Sequence, residues 1–289
     1  MADECWAIVM ESTKILRLFK NEVIDELNPT VLERLLRTIR EMATHFPDQL
    51  YHSYPDIFRG YILTVLDSLR GREGKALLAD FLKEWRRHNW MMVTLSPSLE
   101  DLVVPHDSLP LNQVGNECFS NVVYKELKVE ILDATSSLID GLRQQNGKMG
   151  DHFLMKRLLT SIHEIGVRDD FELELKNVVR AVCSQRASGW IENGTLVEYM
   201  VEAKEYMRKE NDLICSHLAY LRENSKRNFL KVVQNQLLST YINRLLEIGH
   251  SGPSLKENKV QKVHVNKIFL LHMLYNARHI CYTQKIQLQ

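Results

Sequence analysis

Apolar residues at steps of three and four run through residues 196–247, and this stretch organises the chain. The first stripe consists of Tyr199, Met200, Ala203, Tyr206, Met207, Leu213, Ile214 and His217. A second stripe consists of Phe229, Leu230, Val233, Leu237, Tyr241 and Leu245. This spacing is typical of amphipathic helices, and the polar run 222–227 predicts a break between two of them. Two such helices in tandem must bury their stripes in a bundle or a helical stack.

The same period predicts helices through the rest of the chain. The predicted helices cover residues 3–26, 29–46, 57–69, 75–92, 111–143, 154–165 and 169–182. No alternation of apolar and polar residues typical of a strand occurs, so we predict an all-α chain.

Proline and glycine predict where these helices begin and end. Pro29 suits the first turn of a helix, where its missing N–H costs nothing, and Pro47 stops the same helix. Pro97 and Pro105 forbid a continuous helix over residues 95–108, which makes this stretch the best internal boundary. Gly189 is predicted to interrupt the chain before residue 196.

Composition narrows the class of protein. The 289 residues are 45% hydrophobic, and 37 basic residues balance 37 acidic ones, which removes any global electrostatic argument for binding nucleic acid or a membrane surface. Five scattered cysteines without a CxxC motif indicate buried thiols in a reducing compartment. The acidic N-terminus is unlike a signal peptide, and the longest apolar run, Cys5 to Met10, is too short to span a bilayer. We expect an intracellular protein of the cytoplasm, the nucleus or both.

The sequence carries no recognisable catalytic, metal or cofactor motif. The stretch from Gly71 to Lys75 lacks the spacing of a phosphate-binding loop and is predicted to be a turn between helices. His163-Glu164 lacks the second histidine that a zinc-binding helix needs. We therefore expect no catalytic residues, no cofactor and no metal.

Residues 255–289 are basic, with six lysines and arginines against one acidic residue, a net charge of +5. A solvated helix face or a frayed tail is the favoured interpretation, and binding of nucleic acid or an acidic partner is the less favoured alternative.

Several separated motifs resemble the cullin family. Residues 108–115 (SLPLNQVG), with Cys118-Phe119 and residues 123–127 (VYKEL), resemble the start of the second repeat in plant cullins of the first class. Residues 186–191 (RASGWI), Tyr199-Met200, and residues 236–238 with 245–246 and 250–252 continue it in register. Residues 1–95 are similar more loosely.

The resemblance implies a non-catalytic scaffold of SCF-type ubiquitin ligases, built as an elongated stack of five-helix cullin repeats. It divides the chain into a first repeat over 1–107 with a degraded fifth helix, a second over 108–252, and a partial third repeat or divergent tail over 253–289. The chain ends before the domain that binds the RING-box subunit in cullins. We therefore expect a truncated scaffold without that partner.

The resemblance also implies an adaptor site on the second helix of the first repeat. Cullins dock a Skp-type adaptor with its F-box protein on the second and fifth helices of this repeat, and the second helix presents tyrosines where this sequence has Leu32, Leu36 and Arg40. The candidate adaptor-binding residues are Leu32, Leu35, Leu36, Ile39 and Arg40. This apolar stripe also suits packing against neighbouring helices. The alternative function is a diverged cullin remnant that binds another protein or nucleic acid and no adaptor.

Overall fold

The computed structural model describes residues 29–95, 111–144, 149–216, 218 and 221–240. Nine α-helices lie in this part of the chain: α1 Pro29–His45, α2 Pro47–Leu69, α3 Gly74–Leu95, α4 Leu111–Phe119, α5 Lys128–Arg143, α6 Met149–Ile165, α7 Arg168–Asn193, α8 Leu196–Ser216 and α9 Glu223–Gln234. Two single π-helical turns, Ser120–Tyr124 and Asn235–Ser239, extend α4 and α9. No strand occurs among these residues, and the all-α prediction is confirmed.

The contacts divide the chain into two compact units. The first takes the residues up to Leu138 together with Phe153–Arg168, and the second takes Ile139–His152 together with the residues from Asp169 onward. The predicted repeat boundaries at 107 and 252 lie outside the described residues, so the division into repeats stays a prediction. The predicted helix over 3–26 and the basic segment 255–289 also lie outside them.

The core of the first unit is aromatic. Phe81 and Trp85 on α3 pack against Phe119 at the end of α4, with ring centroids 5.8 and 5.1 Å from that phenyl ring. His88, one helical turn after Trp85, is fully buried in the same cluster, 5.2 Å from the Phe119 ring. Gly115 permits the close approach of α4 to α3, because a Cβ atom there would lie 2.6 Å from the end of the Met92 side chain.

The second unit buries much of the described part of the two predicted stripes, whereas His217, Tyr241 and Leu245 lie outside the described residues. Tyr199, Phe229 and Val233 are each no more than 2% exposed. Helix α8 begins with a capping box, in which the Thr195 hydroxyl accepts a hydrogen bond from the Glu198 N–H at 3.3 Å and the Glu198 carboxylate accepts one from the Thr195 N–H at 2.7 Å. Helix α8 ends at Ser216 and α9 begins at Glu223, so two helices form as predicted, but most of the polar run 222–227 lies in the first turns of α9 and does not break the helix.

Several sequence-based boundaries differ from the structure, and two of these differences have a clear physical reason. Helix α2 begins at Pro47, ten residues before the predicted Ile57, because Leu50 is buried and its N–H bonds the Phe46 carbonyl at 3.0 Å, which starts the helix early. Gly189 lies inside α7 and does not interrupt the helix, contrary to the prediction. The helix continues there because Ala187 and Ile191, on either side of it, are buried, and that burial outweighs the poor helix propensity of one glycine.

Candidate functional site

Helix α1 carries the residues predicted to bind an adaptor. Leu36 and Ile39 are half-buried and Arg40 is exposed, whereas Met42 and Ala43, farther along, are buried at 8% and 3% exposure. Leu32 and Leu35 lie in the same helix, but their side chains are outside the described residues. The face of α1 that carries Leu36, Ile39 and Arg40 is therefore partly accessible to a partner, although the helix is buried farther along at Met42 and Ala43.

A charged pair of α1 borders the predicted site without belonging to it. Arg37 and Glu41 form an exposed ion pair there, with 3.2 Å between Nε and Oε1. Arg37 therefore offers a matched reference for Arg40, since both arginines are exposed on one helix and only Arg40 belongs to the predicted adaptor face.

The second unit contains a cleft that the sequence did not predict. It has a volume of about 220 Å³, and α5, α7 and α8 line it. We name it the Tyr206 cleft, after the buried tyrosine on α8 that lies between Arg143 of α5 and Arg186 of α7. The guanidinium carbons of these arginines are 5.8 and 5.0 Å from the Tyr206 ring centroid. Trp190, on α7, packs edge-to-face against the same ring at 5.9 Å.

Arg143 is fully engaged at the inner wall of the Tyr206 cleft. Its guanidinium makes a two-point contact with Glu210, in which Nε bonds one carboxylate oxygen and Nη2 lies 3.1 Å from the other. Nη1 bonds Asp140 at 2.5 Å. The side chains of Arg143 and Glu210 are 8% and 3% exposed, so this pair is a buried, rigid part of the cleft.

Cys183 and Tyr206 remain protonated at neutral pH. Burial, reinforced by the charge of Glu210, raises the pKa of the Cys183 thiol to about 11. The same two causes raise the pKa of the Tyr206 hydroxyl far above its usual range. Cys183 lies 3.9 Å from the Tyr206 hydroxyl as a weak donor. A buried thiol held neutral in this way is a poor nucleophile.

The sequence pointed to only part of this cleft. Arg186 and Trp190 belong to the cullin-like motif at residues 186–191, and Tyr206 was placed on a buried stripe. Arg143 and Glu210 had no local signal, because their pairing joins helices that are distant in sequence. The one signal in the sequence is that Arg143 and Glu210 occupy helical positions where the period predicts inward-facing apolar residues.

The described residues contain no group of three or more His, Cys, Asp or Glu side chains arranged to hold a metal ion. In the same part of the chain, no helix is both long enough and apolar enough to cross a membrane.

The all-α fold agrees with the family comparison. The family model described as the cullin α-solenoid domain matches residues 12–284. This match covers most of the chain, so the chain belongs to the cullin family, and the resemblance of its motifs to cullins is confirmed. Cullins are scaffolds of ubiquitin ligases and not their catalytic subunits.

Plant cullins and cullin-like proteins are among the relatives. The chain is 26% identical to Putative cullin-like protein 2 of Arabidopsis thaliana over 94% of this chain and 76% of that protein. It is 31% identical to Cullin-1 of Oryza sativa subsp. japonica, over 89% of this chain and 37% of that protein. Cullin-like protein 3 of Arabidopsis thaliana is 26% identical over 74% of this chain and 88% of its own length. The chain thus spans little more than a third of the rice cullin.

Proposed function

We propose that this chain is a non-catalytic cullin-type scaffold that binds a Skp-type adaptor, and through it an F-box protein, in ubiquitin-dependent protein degradation. The adaptor-binding face is the side of α1 that carries Leu32, Leu35, Leu36, Ile39 and Arg40. We expect the protein to act in the cytoplasm, the nucleus or both.

The observation that carries this proposal is the partial exposure of α1. Leu36 and Ile39 remain half-buried while Met42 and Ala43 are buried, so the helix is anchored and still presents apolar surface. Exposed Arg40 borders that surface. A half-exposed leucine and isoleucine with a flanking arginine suit a helix-in-groove contact with a partner protein.

Smaller aliphatic anchors predict a weaker interface than the tyrosines at these positions in cullins. Aromatic side chains usually supply much of the binding energy at the centre of an interface. We therefore expect affinity in the micromolar range, which corresponds to about −8 kcal/mol.

Isothermal titration calorimetry of the 289-residue chain with a purified plant Skp-type adaptor tests the proposal. The variant Leu36→Glu/Ile39→Glu should abolish binding, since it places two charges in an apolar contact. Arg40→Ala should weaken binding, whereas Arg37→Ala, in the exposed ion pair of the same helix, should leave it unchanged. Absence of binding by a folded helical protein would refute the proposed adaptor site.

A second assay tests the consequence for a ligase. The 289-residue polypeptide, added in excess to a reconstituted SCF-type ligase, should occupy the adaptor and lower substrate ubiquitination. Leu36→Glu/Ile39→Glu should not. Unchanged ligase activity in the presence of an excess that saturates the adaptor would contradict competition.

A further inference from the structure

We propose that the Tyr206 cleft is a docking site for an aspartate or glutamate side chain of a partner protein, with Arg186 as the cation that receives it. This inference concerns the second unit and is independent of adaptor binding through α1.

Arg186 is an oriented cation without a carboxylate partner in the described part of the chain. Its guanidinium carbon lies 5.0 Å from the Tyr206 ring centroid, and the side chain is exposed. Stacking on an aromatic face holds the planar guanidinium while its N–H groups remain available to a carboxylate. A group that is already oriented loses less conformational entropy on binding.

The other cations of the cleft are already paired. Arg143 is paired with both Glu210 and Asp140. The Lys209 ammonium lies 3.6 Å from Glu205, which also accepts a 2.8 Å bond from Arg208. Among the described residues, Arg186 is therefore the cation lining this cleft that has no carboxylate partner.

Trp190 gives the cleft a partly apolar wall beside that cation. It is half-buried, and its ring packs edge-to-face against Tyr206 at 5.9 Å. A volume of about 220 Å³ is smaller than the roughly 300–1,000 Å³ typical of small-molecule sites. The cleft suits one inserted side chain, with its methylene groups on Trp190 and its carboxylate on Arg186.

The charge of α8 favours a single carboxylate over a polyanion. Glu202 lines the cleft and forms no ion pair with any described residue, and exposed Glu198 lies one turn before it. These carboxylates would repel a phosphate backbone, and a nucleic acid requires several free cations. A single acidic side chain can reach Arg186, and a basic residue beside it in the partner segment would offset the repulsion from Glu202.

Nuclear magnetic resonance of the indole N–H signals of the 289-residue chain tests this site, with the Trp190 signal assigned from Trp190→Phe. The probe is an N-acetylated, C-amidated peptide with one glutamate between apolar residues, and its control is the same peptide with glutamine. The glutamate peptide should shift the Trp190 signal saturably and bind at least about tenfold more tightly than the glutamine peptide, a difference of about 1.4 kcal/mol.

Variants of the protein assign the effect to Arg186. Arg186→Gln should weaken binding at least about tenfold, and Arg186→Lys should give an intermediate loss because it keeps the charge without the two-point geometry. Arg180→Gln is the matched control: this exposed arginine lies on the same helix, bonds Asn177 at 2.7 Å and does not line the cleft. Arg180→Gln should leave binding unchanged.

Three results would overturn the proposal. The first is that the glutamate and glutamine peptides bind equally well, or that neither gives a saturable shift. The second is that Arg186→Gln keeps its affinity for the glutamate peptide. The third is that a single-stranded oligonucleotide, or a peptide whose only carboxylate is its C-terminus, binds more tightly than the glutamate peptide. Circular dichroism of each variant verifies that the fold is retained, as expected for substitutions of exposed side chains.

Discussion

Arg143 and Glu210, 67 positions apart in the sequence, form a two-point ion pair that joins α5 to α8 in the second unit. Burial by itself would lower the pKa of Arg143, but the hydrogen bond and the charge of Glu210 raise it well above its ordinary value. Arg143 therefore remains charged inside the protein, and it depends on Glu210 for that charge to be compensated.

Breaking this pair should cost more stability than removing it. We expect Glu210→Gln to lower the free energy of unfolding by about 3 kcal/mol, because Arg143 then keeps a buried charge with one carboxylate fewer. The double variant Arg143→Met/Glu210→Leu should recover most of that loss, since no buried charge remains. Urea unfolding of the three proteins measures both effects.

The exposed pair of Arg208 and Glu205 is the control, with 2.8 Å between its nearest nitrogen and oxygen atoms. Arg208→Gln should change stability little, because solvent screens an exposed pair. If Glu210→Gln also leaves the free energy of unfolding nearly unchanged, then other groups compensate the charge of Arg143 and the buried pair is not required for stability.

Buried His88 should make the protein less stable in mildly acidic solution. Burial lowers its pKa from 6.5 to about 4, against a hydrogen bond with the Gly115 backbone that acts in the opposite direction. Between these two values the unfolded chain binds a proton that the folded chain does not. His88 therefore leaves the free energy of unfolding unchanged above pH 6.5 and lowers it as the pH falls from 6.5 to about 4. The total loss is about 3 kcal/mol, because each pH unit in this window costs about 1.4 kcal/mol.

Urea unfolding at several pH values between 7.5 and 4 tests this effect. His88→Phe keeps a ring between Trp85 and Phe119 and removes the titration, so its stability should vary less over this window. The same slope in both proteins would assign the acid sensitivity to other groups.

The contact between Gly115 and Met92 should give glycine substitutions opposite signs. In Gly115→Ala the new methyl group would lie 2.6 Å from Sδ and Cε of Met92. Overpacking of this kind costs roughly 1–3 kcal/mol, more than the gain in helix propensity, so we expect a net loss of about 1 kcal/mol. Gly60→Ala, where nothing lies within 4 Å of the new carbon, should stabilise the protein by about 0.5–1 kcal/mol.

Thermal unfolding of Gly115→Ala, Gly60→Ala and Gly115→Ala in a Met92→Ala background completes this test. The alanine should cost less in that background, because the clash is gone. Stabilisation by Gly115→Ala alone would show that Met92 moves aside freely.

Two buried tyrosine hydroxyls should respond differently to removal. The Tyr199 hydroxyl donates to the Leu237 carbonyl in the π-helical turn after α9, whereas the buried Tyr61 hydroxyl has no hydrogen-bond partner among the described residues. We expect Tyr199→Phe to cost about 1–2 kcal/mol, because the Leu237 carbonyl loses its donor inside the protein. Tyr61→Phe should be neutral or stabilising. Equal effects in chemical denaturation would contradict the role of the Tyr199 hydrogen bond.

Much of the fold follows from local sequence. The stripe that includes Phe229 and Val233, and the proline at 29, predicted helices that the structure contains, because side-chain period and proline geometry act within one or two turns. The errors at Pro47 and Gly189 arose where local signals competed with burial. Burial of Leu50 and Ile191 depends on neighbours that the local sequence does not identify.

The candidate binding surfaces also depend partly on local sequence and partly on how the helices pack. The sequence by itself determined the helical class, the resemblance to cullins and the position of Leu36, Ile39 and Arg40 on one helix, since all of these depend on residue identity and spacing. Only the tertiary structure decided that Arg143 is paired with Glu210 while Arg186, over Tyr206, has no carboxylate partner among the described residues. Ion pairing and burial depend on distances between helices, and these distances are set when the helices pack.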